Sequence, residues 1–184
     1  MAEAPAPAIP DPPDSADPQK NPQTNAQTNA QADAHGAHPA DPPPGFKPLR
    51  AMGDFIHING PLWLRREGGV VQLGFRVEPR HCNPMHTCHG GMLASFADML
   101  LPMTAHRKSP EVGSRFLPTV SLQLDYLAPA KLGDWVMGEA DVLRVTRSLV
   151  FMQGLITANG VPAVRTSGVF KLGAPFNPAN LLRA

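Results

Sequence analysis

The chain has 184 residues, a net charge of +1 at neutral pH and 22 prolines, room for one domain of ordinary size with a tail. Cys82 and Cys88 are its only cysteines, which excludes a disulfide framework and carries no CxxC-type metal spacing. No run approaches the roughly 18 apolar residues of a membrane helix, and no basic-then-apolar leader opens the chain, so no membrane span and a reduced, cytoplasmic setting are expected.

Residues 1–45 hold 11 of the 22 prolines and no aromatic residue. Their charges are Glu3, Asp11, Asp14, Asp17, Asp33 and Asp41 against Lys20, a net −5, which leaves +6 on residues 46–184. Such a stretch buries too little apolar surface to offset its ordering entropy, so a disordered acidic tail is expected. The mildly basic remainder suits an anionic ligand; without basic clusters, nucleic acid is not expected.

The folded domain is expected over 46–173, with a short appendage over 174–184. Phe46–Asp54 is compatible with a short helix. Phe55–Arg65 and Val70–Val77 read as strands joined by the Glu67-Gly68-Gly69 turn. Val71, Leu73, Phe75 and Val77 alternate with more polar positions, as in a half-buried strand. A loop containing Pro79, Asn83 and Pro84 precedes Gly90–Ala105. That run has helical character and is apolar nearly all round, so it should be buried, and Pro102 should end or kink it. After a polar loop over Lys108–Arg115 come four strands, Thr119–Leu127, Gly133–Val145, Ser148–Ala158 and Val161–Leu172. Thr146-Arg147 and Asn159-Gly160 are the turns of the later pairs, and Asn-Gly is a strong hairpin signal. The pattern predicts an α+β domain: two strands, one long buried helix, then four strands in a meander, with the helix on one face of an antiparallel sheet.

The chemistry centres on Cys82–Ala105. Asp98 is the one formal charge in that span at neutral histidine. A carboxylate within an apolar helix is costly unless paired, and such a residue is a candidate acid or base; alone, the helix simply turns it to solvent. His89-Gly90-Gly91 falls where the helix should begin. Glycines let a ligand approach the backbone, and the free first-turn N–H groups with the helix dipole can polarise a carbonyl oxygen; alone, the triplet is a turn and cap. Asp98 lies about 10–12 Å along the helix from the glycines, too far to act on the same carbonyl. If the two ends work together, Asp98 must come from a second copy, which implies a homodimer with composite sites. Asn83, otherwise a turn residue, offers an amide donor to the same oxygen.

Asn83, His89-Gly90-Gly91 and Asp98 together resemble the N-x5-HGG-x6-D pattern of hotdog-fold thioesterases of the PaaI-like (phenylacetate-degradation) branch. Thr119–Asp134 and Gly160–Leu172 are similar to that family's later strands, so the resemblance covers roughly residues 50–172. It implies a hotdog fold and hydrolysis of an acyl-CoA thioester to free acid and CoA, with coenzyme A present only as part of the substrate and no other cofactor. It also implies a homodimer, further paired as a dimer of dimers (a homotetramer). By the same resemblance the Gly90 N–H, helped by Asn83, holds the thioester oxygen. His89 positions the thioester, and Asp98 of the partner is general base or nucleophile. Thr119 orients the water. Gly91, His86, Arg144 and Arg147 are candidates for substrate binding, the arginines toward CoA phosphates. His86 stands where many relatives have glycine, which separates this chain from them in its pocket or entrance.

His81, Cys82, His86, Cys88 and His89 look like a metal cluster, but their spacing matches no standard zinc site, so no metal is expected. Cys88 reads as a packed residue rather than a nucleophile. Met85, Met92, Met99, Met103, Met137 and Met152 either line an acyl groove or fill the core. Three rival readings stand beside the thioesterase: a non-catalytic acyl-CoA-binding hotdog module, a hotdog enoyl-CoA hydratase, and a structural partner in an assembly. A binder has no need of Asp98, a hydratase needs an Asp and His placed together on one loop-helix motif, and the third supplies no site.

Overall fold

The structure, a computed structural model, describes residues 42–49 and 53–175. The expected tail up to residue 41 and the expected appendage from 176 onward lie outside the described residues.

The described chain runs β1 (Lys47–Pro48), α1 (Asp54–Asn59), β2 (Trp63–Glu67), β3 (Val70–Arg76), a 3₁₀ turn (Pro79–His81), α2 (Gly90–Lys108), β4 (Thr119–Tyr126), β5 (Trp135–Val145), β6 (Leu149–Ala158) and β7 (Val161–Lys171). All pairings are antiparallel, and the sheet order is β1-β2-β3-β5-β6-β7-β4. One long helix against one antiparallel sheet is the α+β arrangement that the residue pattern implies. The two hairpin turns fall where expected. Asn159 and Gly160 have φ of 47° and 83°, the left-handed pair a two-residue turn requires.

α2 has no single apolar face because the sheet curves around it. Phe96, Leu100 and Leu101 are fully buried against Leu73, Phe75, Val136, Met152, Ile156 and Phe170 from four strands. The Phe75 and Phe96 rings lie 5.0 Å apart. Gly138 of β5 creates the space: a Cβ there would sit 2.4 Å from Leu100 Cδ2 and 3.2 Å from Phe96 Cε1. The glycine thus lets strand and helix approach more closely than any side chain permits.

Four expectations are corrected. The helix lies at Asp54–Asn59, not over Phe46–Asp54, where Lys47–Pro48 pairs with β2 instead. Phe46 is buried edge-on against Trp135, with ring centroids 5.1 Å apart, and pins that segment as an edge strand. The strand expected from Phe55 begins only at Trp63. Of Phe55, Ile56 and Ile58 only Ile56 packs on the core, a helical use of a run that alternates like a strand. Gly60-Pro61 separates the two elements, and Pro61 has no N–H to give a ladder. Of the two outcomes expected at Pro102, an end or a kink, the end is ruled out, since α2 runs on to Lys108. Proline removes one backbone bond, and burial of Met103, Thr104 and Ala105 beyond it offsets that loss. Finally, β4 is not the first strand of a four-strand meander. It crosses to the far edge beside β7, and β5 sits against β3. Two backbone bonds fix that choice: Val77 N–H to Asp134 O at 3.0 Å and Gly133 N–H to Val77 O at 2.9 Å.

Candidate active site

The loop before α2 is tied at both ends. Asn83 N–H donates to Thr87 O at 2.9 Å, and His89 N–H donates to His81 O at 2.7 Å. Inside it, Asn83 Oδ1 accepts from Met85 N–H at 2.9 Å and Thr87 N–H at 3.3 Å, while Asn83 Nδ2 donates to Thr87 Oγ1 at 2.9 Å. Asn83 therefore shapes the loop it sits in. His86 is exposed, with φ 55°, the left-handed region where glycine is at ease.

Buried His81 supports this loop from below. Its Nδ1 accepts from Glu78 N–H at 3.0 Å, and its Nε2 lies 3.0 Å from Asn59 O and 3.3 Å from Arg80 Nε. Burial, and next the Arg80 charge, push its pKa below the usual histidine value of 6.5.

α2 opens on His89 as N-cap. His89 Nδ1 accepts from Gly91 N–H at 2.9 Å, and His89 O accepts from Met92 and Leu93 N–H at 2.9 and 3.2 Å. These bonds take up the first-turn donors one by one. Among the described residues no hydrogen bond takes up the Gly90 N–H, which is left at the positive end of the helix dipole. Tyr126 Oη donates to Gly90 O at 2.9 Å and so fixes this peptide. His89 and Gly91 line an open concavity of about 330 Å³ together with Asn59, Arg80, Cys82 and Ser95.

Asp98 is half-buried two turns further along α2. Thr119 Oγ1 donates to its Oδ1 at 2.6 Å, a short bond of the charge-assisted kind. Both line a second concavity of about 540 Å³, with Met99, Pro102, Met103, Phe116 and Leu117 as its apolar wall. His106, Arg107 and Arg115 line the same groove. Burial, then the Arg66 charge, lowers the Arg107 pKa.

The structure thus joins Asp98 to Thr119 but sets His89 and Gly91 in a different concavity, while the Asn83 side chain bonds within its own loop and lines neither. Thr119 pairs with Phe170, Phe170 with Val150, and Val150 with Val145, so exposed Arg144 and Arg147 lie at the Thr119 end of the sheet. Neither lines the groove that holds Asp98; Arg107 and Arg115 do. Sequence reasoning passed over those two and Tyr126. The signal for Tyr126 was its being the single tyrosine, at the end of the strand that Thr119 begins. Of the methionines, Met99 and Met103 line the groove, Met152 is core, and Met85 is exposed. Among the described residues no three His, Cys, Asp or Glu side chains converge as metal ligands, and no helix is long and apolar enough to cross a membrane.

A sheet wrapped around one helix, with an HGG mouth and a mid-helix Asp, defines the hotdog class. Comparison with known proteins agrees. Residues 85–162 match the thioesterase superfamily model. A Pseudomonas aeruginosa protein named as an esterase is 29% identical over 133 residues, 71% of this chain and 96% of that protein. Human acyl-coenzyme A thioesterase 13 is 33% identical over 86 residues, 45% of this chain and 57% of that protein, so this chain spans just over half of its length. The solved Escherichia coli PaaI protein of the phenylacetic acid degradation operon superposes with a TM-score of 0.55 at 17% identity, over 62% of this chain and 80% of that one. The chain is thus similar to the thioesterase superfamily over residues 85–162, and it shares the hotdog fold of the solved PaaI protein.

Proposed function

We propose that the protein is an acyl-CoA thioesterase whose sites are completed across a homodimer. The observation that carries this reading is the placement of both half-sites on β4. Thr119 at its start holds Asp98, and Tyr126 at its end holds Gly90. β4 is an edge strand with one side unpaired. A second copy pairing antiparallel along that edge brings the Thr119 end of one β4 to the Tyr126 end of the other. Asp98 of one copy then meets the Gly90 mouth of its partner, which the roughly 12 Å of helix between them forbids within one chain.

In this proposal the thioester oxygen sits on the Gly90 N–H and the helix dipole, with the second amide hydrogen of Asn83 beside it. His89 positions the thioester by its Nε2–H, since Nδ1 is committed to Gly91. Water held by Thr119 loses its proton to Asp98 as its oxygen attacks the carbonyl; alternatively the carboxylate attacks first and water then opens the anhydride. Collapse of the tetrahedral intermediate releases CoA thiol and the free acid. The Met99, Met103, Phe116 and Leu117 wall suits an acyl chain. Arg107 and Arg115, with Arg144 and Arg147 further along the sheet end, suit CoA phosphates. The name of human acyl-coenzyme A thioesterase 13 supports the same substrate class.

Subunit complementation tests it. Gly90→Pro removes the candidate donor at N1, where proline fits a helix, and His89 already has the extended backbone (φ −61°, ψ 137°) that precedes proline. Gly90→Pro and Asp98→Asn should each be inactive in thiol release from acyl-CoA. Unfolded together and refolded as a mixture, they should recover about a quarter of wild-type activity, because half the dimers carry one intact site. No recovery from a folded dimeric mixture, or full activity of Asp98→Asn alone, overturns the reading.

A further inference from the structure

Cys82 and Cys88 face each other as an antiparallel pair. The bonds that flank them, His89 N–H to His81 O and Asn83 N–H to Thr87 O, make this the non-hydrogen-bonded kind of pair. In such pairs the Cα atoms are about 4.5 Å apart and the side chains share one face, within the 4.4–6.8 Å range that a disulfide spans. Both are free thiols; Cys82 is half-exposed and Cys88 buried. Cys82 lines the open concavity that also holds Arg80, His89 and Gly91, so a small solute reaches it from the mouth of α2.

We infer that Cys82 and Cys88 are a cross-strand dithiol that closes to an intramolecular disulfide by exchange with a low-molecular-weight disulfide. The Cys82 thiolate attacks one sulfur of the reagent, which leaves as a thiolate while a mixed disulfide forms on Cys82. Cys88 Sγ, losing its proton, then attacks Cys82 Sγ and expels the second thiolate. Two cysteine thiols are oxidised and the reagent disulfide is reduced to two thiols. Burial, and next the Cys82 charge, push the Cys88 thiol up to about 12. The mixed disulfide removes that second contribution and leaves burial alone opposing the Cys88 thiolate, so closure depends on the pairing that holds the two sulfurs together. The bond would lock the ribbon from whose ends Asn83 and His89 project.

The test uses the full chain, reduced and then titrated with glutathione disulfide, and is read without substrate. Wild type should lose both thiols, lighten by about 2 Da and show a Cys82–Cys88 linkage in non-reducing peptide maps. Cys88→Ala should retain glutathione on Cys82, and Cys82→Ser should keep its remaining thiol. The inference is overturned if wild type keeps both thiols under conditions that modify Cys88→Ala, stops at the glutathione adduct, or links between chains. The wild-type mass and map decide the matter even if a variant fails to fold. They also stand whether or not the chain hydrolyses thioesters.

Discussion

Thr119→Val removes one hydroxyl and keeps the shape of a β-branched strand residue. The lost bond, 2.6 Å from Thr119 Oγ1 to Asp98 Oδ1, is to a carboxylate, and such bonds contribute about 1.5–3 kcal/mol. Thr119 is exposed and Asp98 half-buried, so water replaces part of it, leaving about 1–2 kcal/mol. If that bond orients Asp98 for catalysis, kcat falls by about 5–30-fold. Stability should fall by no more than about 1–2 kcal/mol, because solvent reaches the half-buried carboxylate once the hydroxyl is gone. Asp98→Asn should lose about 10²–10⁴-fold. Since Thr119 acts through Asp98, the double variant should be no worse than Asp98→Asn alone. The assay is thiol release from a panel of short, medium and aromatic acyl-CoAs, with thermal melting alongside. Unchanged kcat in Thr119→Val, or fully multiplicative losses in the double variant, would refute the coupling.

Tyr126→Phe, which frees the Gly90 carbonyl, should lower kcat about 3–10-fold with Tm nearly constant; a Tm drop with unchanged kcat would make Tyr126 merely structural. His81 has a lowered folded-state pKa, so the unfolded chain binds more protons just below pH 6.5. Stability should therefore be fully present above 6.5 and decline as pH falls toward the folded pKa. Melting curves against pH should show that slope in wild type and a flatter one in His81→Gln. Gly138→Ala, whose Cβ meets Leu100 Cδ2 at 2.4 Å, should cost about 1–3 kcal/mol in denaturant unfolding; a neutral result would mean that α2 shifts freely on the sheet.

Local sequence was informative wherever one residue's needs decide the backbone. Asn159-Gly160 demands a left-handed turn, the apolar run from Gly90 demands burial, and the charge of Asp98 inside it demands solvent or a polar partner. It misled where tertiary packing outbid local preference. The run from Phe55 alternates like a strand, yet it folds as a helical turn with Ile56 alone inward. Phe46, inside text compatible with a helix, is held beside Trp135, and Pro102 stands within a helix that buried neighbours carry onward.

By itself the sequence determined the helix, the hairpins and the spacing from Gly90 to Asp98, because each rests on contacts between near neighbours. Only the tertiary structure decided that β4 crosses to the far edge, since register between distant strands is set by core packing that no local pattern encodes. That one placement gives Asp98 its Thr119 and Gly90 its Tyr126, and it sets these two contacts at opposite ends of one edge strand.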